Sequence, residues 1–316
     1  IPSGHMVNLD SASSGAQLAS TALRCEVGMR NTGVINSENP PSLYKTLTDT
    51  IQCPVPLKKA KLAMMSYIYG STAEPEKAFG DDVELFYQGA TEVAPRACIF
   101  RDIAINAWQP FKDFHQWVMP NGNTVHKRVW QTIDTRVQVP NLDSRSFTFR
   151  HKVNKGKEFS VSLAADIVHS IDALFASEMS ARSNYDPVVL QSLLKRLECV
   201  TEAPSDRTKM CSLDTVVHIG EDLSKYDNNY LAQAKELIEY TLAYKPFPIM
   251  VTHDDFGCHP NNTQRMREHY NRLLWELYHS NIIQDILEQV TGVRYDQFPL
   301  DPVLADKILD ANYPLN

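Results

Sequence analysis

Two aspartates that follow short apolar runs are the residues of this chain best suited to chemistry. Asp10 comes directly after residues 6–9, and Asp254 follows residues 247–252. Both runs are predicted to be β-strands, since they are short and apolar, and we expect the second to be buried. A carboxylate at the tip of an apolar strand loses hydration unless a cation lies beside it. Paired carboxylates suit Mg²⁺, which prefers oxygen ligands and keeps positions for water and substrate phosphates.

Two magnesium ions held between such carboxylates would catalyse nucleotidyl transfer. They would activate a 3′-hydroxyl and stabilise the departing pyrophosphate. Aspartates at strand ends also form turns, a role that needs no metal. The pair by itself therefore leaves both interpretations open.

A lysine-rich segment adds a candidate triphosphate site. Residues 57–68 have helical spacing, and Gly70 ends the helix. Lys61 and Tyr69 would lie roughly 12 Å apart along its axis, which matches the length of a nucleoside triphosphate. Lys58 falls on the same side, one turn earlier. The alternative is a surface helix with a lysine-rich first turn, although the helix dipole disfavours such a turn.

The charge of the chain is unevenly distributed. The net charge of −7 counts against nucleic-acid binding by the surface as a whole. Residues 124–157, however, contain eight Lys and Arg against two acids, Asp134 and Asp143. This segment is either a nucleic-acid footprint or a solvated surface of mixed charge. The basic residues that we assign to nucleic-acid binding are Lys127, Arg128, Arg136, Arg145, Arg150 and Lys152.

Local patterns predict helices around two β-hairpins, and therefore an α/β fold of the α+β type. The first hairpin pairs residues 114–118 with 125–130 around an Asn-Gly turn. The second pairs 133–139 with 145–153 around the turn 140–144. Helices are predicted at 15–27, 42–51, 57–68, 74–107 (interrupted at Pro95), 160–179, 230–244, 263–279 and 282–290, with a loosely patterned insertion at 181–229.

Composition is that of a soluble globular protein. The 316 residues are 43% hydrophobic and 22% charged. No run approaches the 18 apolar residues of a membrane helix, and we expect no secretory leader and no membrane partner. The six cysteines are scattered without a C-x-x-C pair. This favours a reducing compartment and argues against a structural zinc site.

Three motifs in this order resemble those of the single-subunit, DNA-dependent RNA polymerases of T-odd phages and mitochondria. The run D-S-A-S-S-G-A-Q from Asp10 resembles motif A of that family, D-G-S-x-S/N-G-x-Q. Lys61, seven further residues and Tyr69-Gly70 resemble motif B. The run H-D-D-F-G from His253 resembles motif C, H-D-S-F-G.

Two shorter segments extend the resemblance across nearly the whole chain. Residues 168–172, V-H-S-I-D, are similar to the family's V-H-S-x-D. Residues 117–122, W-V-M-P-N-G, are similar to the W-V-T-P-x-G that precedes its promoter-reading hairpin. Each motif is short, but five of them in the family's order are jointly specific.

The resemblance implies a two-metal active site. Asp10 and Asp254 would bind two Mg²⁺ ions, aided by the backbone carbonyl of Ser11. Lys61 would neutralise the triphosphate of the incoming nucleotide.

The resemblance also implies a nucleotide site around motif B. Lys58 would stand in for a family arginine whose position is Leu57 here. Tyr69, followed by Gly70, would lie at the ribose and base, and His169 would sense the 2′-hydroxyl.

The implied fold is the right-hand palm of the DNA/RNA polymerase superfamily, with mostly helical fingers. Residues 1–26 and 170–316 would form the palm, the latter including the insertion. Residues 27–169 would form the fingers, including the helix 57–70 and a basic specificity-type hairpin at 124–157.

Partners follow from the same resemblance. They would be template DNA, nascent RNA and NTPs. Motif A lies close to the start of the sequence, so we expect a second, smaller polymerase chain to supply the N-terminal and thumb regions. The expected location is the cytoplasm of an infected bacterial host, as a viral protein, rather than a mitochondrion.

Two other functions remain in view. Family-A DNA polymerases share the palm, but they tend to have D-Y-S-x-I-E in motif A and H-D-E in motif C. A non-catalytic palm-fold scaffold subunit would be expected to lose a metal carboxylate, whereas Asp10 and Asp254 are both present. Motif C has Asp255 where the family has serine, which adds a third carboxylate of unassigned role.

Overall fold

The computed structural model describes residues 4–36, 40–142 and 145–316. Within them the chain is mostly helical with small antiparallel sheets, so the predicted α+β class is confirmed. Asp143 and the residue after it, part of the predicted turn at 140–144, lie outside the described residues. The strands are β1 (Val7–Asp10), β2 (Phe114–Val118), β3 (Thr124–Arg128), β4 (Gln131–Val139), β5 (Arg145–Val153), β6 (Met250–Thr252) and β7 (Asp255–Cys258).

The helices are distributed along the whole chain. They are α1 (Ser14–Ala22), α2 (Glu26–Asn31), α3 (Leu43–Ile51), α4 (Leu57–Ile68), α5 (Ala73–Phe79), α6 (Val83–Val93), α7 (Pro95–Asn106), α8 (Ser162–Ser183), α9 (Pro187–Arg196), α10 (Leu213–Val216), α11 (Asn228–Leu242), α12 (Thr263–His279), α13 (Ile282–Thr291) and α14 (Pro302–Leu309). No described helix combines the length and the apolar character that crossing a membrane requires.

A three-stranded antiparallel sheet joins the two ends of the chain. Its strand order is β1-β7-β6, with Asp10 opposite Asp255. The outer edge of β1 is partly covered by the last residues, because Asp10 exchanges two backbone hydrogen bonds of 2.9 Å with Asn316. The backbone N–H of Ala12 also donates to the carbonyl of Pro314, at 3.2 Å. The C-terminal segment therefore acts as a short fourth strand.

Helix α1 runs through the centre of the core. All nine of its residues are buried, and it contacts α2, α7, α8 and α12. Small side chains such as Gly15, Ala16 and Ala19 allow these neighbours to approach closely. The helix that follows motif A is therefore fixed by packing on several sides.

The basic segment 124–157 is not one hairpin, contrary to the domain assignment made from the sequence. Strand β3 pairs back with β2, whereas β4 pairs with β5 in a separate two-stranded sheet. Both pairs had been predicted locally. The single hairpin was wrong because β3 is paired with β2 and β4 with β5, so the basic segment includes strands of two separate hairpins.

Several predicted boundaries also differ from the structure. The strand expected at 247–252 is only β6, and it is mostly exposed because it lies at the edge of its sheet. The helix expected at 15–27 is divided into α1 and α2, with Arg24 between them at a φ of 59°. Helix α14 was not predicted.

The insertion at 181–229 is more ordered than its sequence pattern indicates. Helices α9 and α10 pack with α11 around a second, smaller core, which includes Leu190, Leu213 and Leu237. Helix α8 continues into this segment as far as Ser183. The insertion is thus a helical lobe with its own hydrophobic centre.

Candidate active site

Backbone pairing brings the two predicted metal-binding aspartates together. Asp10 ends β1, and Asp254 lies in the two-residue turn between β6 and β7. The backbone N–H of Ser11 donates to the carbonyl of Asp254 at 3.1 Å, and its hydroxyl donates to Oδ2 of Asp254 at 2.9 Å. The sequence predicted Asp254 at the end of one strand; the structure places it in a hairpin turn instead. Both aspartates line one cleft.

Two non-glycine residues beside this cleft have left-handed backbone. Ser13, before α1, has a φ of 73°, and His253, next to Asp254, has a φ of 59°. Such conformations cost free energy in residues with a side chain and persist where the surrounding structure imposes them. Ser13 lies in the loop that follows Asp10, and His253 lies in the turn that contains Asp254, so both help to position the two carboxylates.

The electrostatics of the cleft favour a bound cation. Burial raises the pKa of Asp10, and the nearby charge of Asp254 raises it further. The backbone N–H of Ser11 opposes these effects, as does the charge of Lys61, while Asp255 adds to them. A divalent cation between the carboxylates would remove the repulsion that raises this pKa.

The donor set fits magnesium better than a metal that needs a complete protein cage. Among the described residues, no group of three or more His, Cys, Asp or Glu side chains is arranged to hold a metal. Mg²⁺ is usually bound through one or two carboxylates, with water and substrate phosphates completing its shell. Asp10 and Asp254 match that arrangement. The carbonyl of Ser11 accepts a hydrogen bond of 2.8 Å from the Ser13 N–H, and its second lone pair could serve as a ligand.

Helix α4 brings the predicted triphosphate lysine to the same cleft. Lys61 lines the cleft, and its Nζ lies 5.6 Å from the ring centre of Tyr44 on α3. The hydroxyl of Tyr44 donates to Oγ of Ser13 at 2.8 Å. Burial raises the pKa of Tyr44, so the phenol stays protonated at neutral pH. Tyr44 therefore connects α3 to the loop after β1, next to the lysine.

Tyr69 closes the other end of the cleft. It follows α4, and its ring centre lies 5.1 Å from that of His169 on α8. Burial raises its pKa to about 12, the charge of Asp172 acts in the same direction, and a hydrogen bond with Ser14 opposes them. A Cβ on Gly15 would lie 2.8 Å from the Tyr69 hydroxyl. Glycine at this position is what allows the tyrosine to reach α1.

Gly70 has a conformational role instead of a contact with the cleft. Its φ is +100°, and a Cβ would lie 2.6 Å from the carbonyl of Val161. Arg101 donates to the carbonyls of Gly70 and Tyr67, at 3.3 and 2.9 Å. These contacts fix the end of α4 and therefore the direction of Tyr69.

Asp172 belongs to the motif at residues 168–172 but had no predicted role. Its pKa is raised to about 7, chiefly by burial and also by the charge of Asp254, while a hydrogen bond with Ser14 opposes both effects. Ser14 thus acts to lower the pKa of both Asp172 and Tyr69. The only sequence signal for this role was the position of Asp172 on the same helix as His169, three residues later.

Behind the cleft, a buried hydrogen-bond chain ties motif A to the C-terminal segment. The hydroxyl of Tyr270 on α12 donates to Oε1 of Gln17 at 2.6 Å. Nε2 of Gln17 donates to the carbonyls of Thr32 and Pro314, at 2.9 and 3.2 Å. Gln17 belongs to motif A in the sequence, but its complete burial and its partners appear only in the structure.

The remaining predicted residues lie outside the cleft. Lys58 is exposed at the start of α4, one turn before Lys61. Lys127 forms an ion pair of 2.5 Å with Asp166 on α8. The other predicted nucleic-acid residues are carried by the two hairpins, and no residue of either hairpin is among those that line the cleft in the described structure.

Some of these cations already have protein partners. Arg150 donates twice to Asp134, at 2.7 and 2.9 Å. Nε of Arg136 donates to Oγ of Ser146 at 2.8 Å. The guanidinium of Arg128 lies 6.0 Å from the ring of Trp130. Arg145 and Lys152 are exposed on β5.

Comparisons with protein-family models and with curated proteins find no match to this chain.

Proposed function

We propose that this chain is the catalytic part of a DNA-directed RNA polymerase that adds NTPs to the 3′ end of an RNA and releases pyrophosphate. The observation that carries the proposal is the convergence of Asp10 and Asp254 in a cleft that Lys61 and Tyr69 also line. Two carboxylates, a cation and an aromatic side chain correspond to the two metals, the triphosphate and the nucleoside of one substrate. The five ordered motifs support the same conclusion.

Each residue of the cleft has a separate proposed role. Mg²⁺ ions bound there would supply charge stabilisation to the attacking 3′-hydroxyl and the departing pyrophosphate. Asp10 and Asp254 would hold the ions, and the Ser11 hydroxyl, which donates to Asp254, would orient that carboxylate. Lys61 neutralises the triphosphate, an electrostatic role that is strongest in a cleft shielded from water.

The sugar end of the nucleotide belongs to Tyr69 and His169. Their rings lie side by side, 5.1 Å apart, and together offer a phenol and an imidazole to a ribose. Hydrogen bonding to the 2′-hydroxyl would favour ribonucleotides over deoxyribonucleotides. This is what separates the proposal from a DNA polymerase built on a similar palm.

The proposed architecture is a palm, built on the sheet β1-β7-β6, with fingers that include α3 and α4. Template DNA and nascent RNA are the proposed macromolecular ligands. A second, smaller polymerase chain would extend the palm at the part of the β1 edge that the C-terminal segment leaves uncovered. We propose a viral protein acting in the cytoplasm of an infected bacterium.

The decisive experiment is RNA synthesis on a DNA template by the wild-type protein and by Asp10→Asn and Asp254→Asn. We expect each variant to lose at least about 100-fold in nucleotide addition, because a preorganised charge partner of the transition state is removed. Template affinity should stay within about twofold, since phosphate contacts by cationic side chains dominate such binding. Asp306→Asn, at an exposed position of α14, is the matched control.

Two results would contradict the proposal. The first is extension by either active-site variant at the wild-type rate. The second is a wild-type protein that incorporates dNTPs in preference to NTPs, which would favour the DNA polymerase alternative.

A further inference from the structure

The second hairpin, β4–β5, has one face that is apolar and aromatic. Residues alternate between the faces of a strand, so Phe147 and Phe149 lie on the same side of β5. Val137 is directly opposite Phe147 on β4. Each phenylalanine is 54% exposed, and Val137 is 37% exposed. Three large apolar side chains therefore face solvent on one surface.

In the part of the chain that the structure describes, no other strand covers this surface. Among the described residues, β4 and β5 form a two-stranded sheet of their own. An isolated two-stranded hairpin is marginally stable in water. Contiguous exposed apolar surface of this kind usually marks a binding site.

The charges of the hairpin favour a nucleic acid as the occupant. Arg145 shares the face of the two phenylalanines, opposite Val139. The described part of the hairpin carries one acid, Asp134, and it is already paired with Arg150. Unpaired cations would not strengthen the binding of an apolar protein surface, whereas they would strengthen the binding of phosphates. Aromatic platforms combined with basic residues are typical of surfaces that bind single strands.

The spacing of the rings indicates which form of nucleic acid fits. The rings of Phe149 and His151 are stacked, with centres 5.2 Å apart and planes 12° from parallel. Phe147 precedes Phe149 by two residues on β5, so their Cα atoms lie about 7 Å apart at the usual rise of a strand. Bases of one strand repeat about every 3.4 Å along a helix axis. At that strand spacing, one base would fit between the side chains of Phe147 and Phe149 with a ring on each side.

We propose that the aromatic face of β4–β5 binds single-stranded nucleic acid, with one unpaired base between Phe147 and Phe149 and a neighbouring phosphate at Arg145. A base within a duplex has neighbours on both faces and cannot enter this gap. The identity of the strand, template DNA or transcript, rests on the proposed function. The binding itself does not require catalysis.

The test is the affinity of the full chain for a fluorescently labelled oligothymidylate and for a duplex of equal length, measured without NTPs. The variant Phe147→Ala/Phe149→Ala should bind the single strand about 5- to 150-fold more weakly, as expected for the loss of one stacked base. Affinity for the duplex should be unchanged. An oligonucleotide with 2-aminopurine should show fluorescence quenching with the wild-type protein that the double variant lacks.

Matched variants separate stacking from other effects. Thr148→Ala changes the opposite face of the same strand and should bind like the wild-type protein. Phe149→Tyr keeps the ring and should retain single-strand affinity, whereas Phe149→Leu keeps an apolar side chain without a ring and should lose it. Because these positions are exposed, all variants should unfold at the wild-type temperature.

Three outcomes would overturn the proposal: wild-type single-strand affinity in the double alanine variant, full affinity with Phe149→Leu, or an equal loss for duplex and single strand. If the double alanine variant lost a protein partner but kept its affinity for the oligonucleotide, the surface would be a protein-binding site, and the proposal would be overturned as in the first outcome. Asp10→Asn should retain the binding. An inactive wild-type protein that still binds single strands through Phe147 and Phe149 would contradict the proposed function and leave this inference intact.

Discussion

Tyr69 illustrates how one hydroxyl is placed by several neighbours. It meets Ser14, it lies over Gly15, and its ring adjoins His169. Its orientation is therefore set before any nucleotide binds, which is the condition for a side chain that discriminates between sugars.

We predict that Tyr69→Phe relaxes sugar selection more than it slows synthesis. The ring would keep its packing against His169, while the polar contact to the ribose would be lost. The ratio of NTP to dNTP incorporation should fall by about tenfold or more, with a smaller change in rate. Competition between the two substrates on one template measures this ratio, and an unchanged ratio would remove Tyr69 from the ribose site.

Asp172 gives the cleft a pH-dependent contribution to stability. Its pKa is raised to about 7 from an ordinary value of 3.8, chiefly by burial. Between these two values the folded protein binds more protons than the unfolded chain, so the free energy of unfolding decreases as pH rises. Below pH 4 Asp172 is protonated in both the folded and the unfolded state, and its contribution to the free energy of unfolding is fully present. Above pH 7 this contribution is lost.

We predict that Asp172→Asn flattens this dependence. The wild-type protein should lose about 2–4 kcal/mol more than the variant between pH 4 and pH 8, measured by urea unfolding in the presence of a chelator. Asp306→Asn should follow the wild-type curve. Parallel curves for Asp172→Asn and the wild-type protein would show that this carboxyl does not titrate as described.

At the scale of elements, a chain of alternating charges joins α8, α11 and α12. Arg182 is fully buried and bonds to Glu178 at 2.8 Å and to Glu276 at 2.7 Å. Arg272 links Glu276 to Glu236 on α11. This network anchors the helical lobe of the insertion to the helices of the main core.

We predict that Arg182→Met destabilises the protein by about 3–5 kcal/mol, because the buried Glu178 loses its cation and Glu276 keeps only Arg272. Urea unfolding measures the loss. Arg30→Met removes a partly exposed pair with Glu26 and should cost less than about 1 kcal/mol. Equal effects of the two substitutions would mean that the buried network contributes no more than a surface pair.

At the scale of the whole molecule, the described residues leave part of the outer edge of β1 unpaired. The N–H of Ser11 faces β7, whereas that of Asp10 faces the C-terminal segment. Because backbone groups alternate between the two sides of a strand, the N–H and carbonyl of Asn8 also face outwards. The C-terminal segment pairs with Asp10 and Ala12 but does not extend to Asn8. Such an edge can accept a further strand.

We predict that Asn8→Pro blocks assembly with the proposed second chain. Proline removes the outward N–H and leaves the ladder to β7 intact, so the unfolding temperature should change little. Asn8→Ala removes the side-chain hydrogen bond to Asp255 but keeps the N–H, and should assemble normally. Size-exclusion chromatography of co-expressed chains measures assembly, and normal assembly of Asn8→Pro would rule out pairing at this edge.

Local patterns alone were enough to predict many of the elements. Helices α4 and α12 have the predicted bounds, because apolar spacing and flanking turn residues act within a few residues of one another. The strands of both hairpins were predicted closely for the same reason. The candidate residues Asp10, Lys61 and Tyr69 were identified by type and spacing.

Long-range contacts were decided only by the tertiary structure. That Asp10 meets Asp254 depends on the pairing of β1 with β7, which lie far apart in the sequence. The role of Asp172 depends on burial beside Asp254, and the extension of α8 depends on partners for Arg182 from α12. Local sequence does not specify these contacts, because burial and pairing depend on which distant segments fold against each residue.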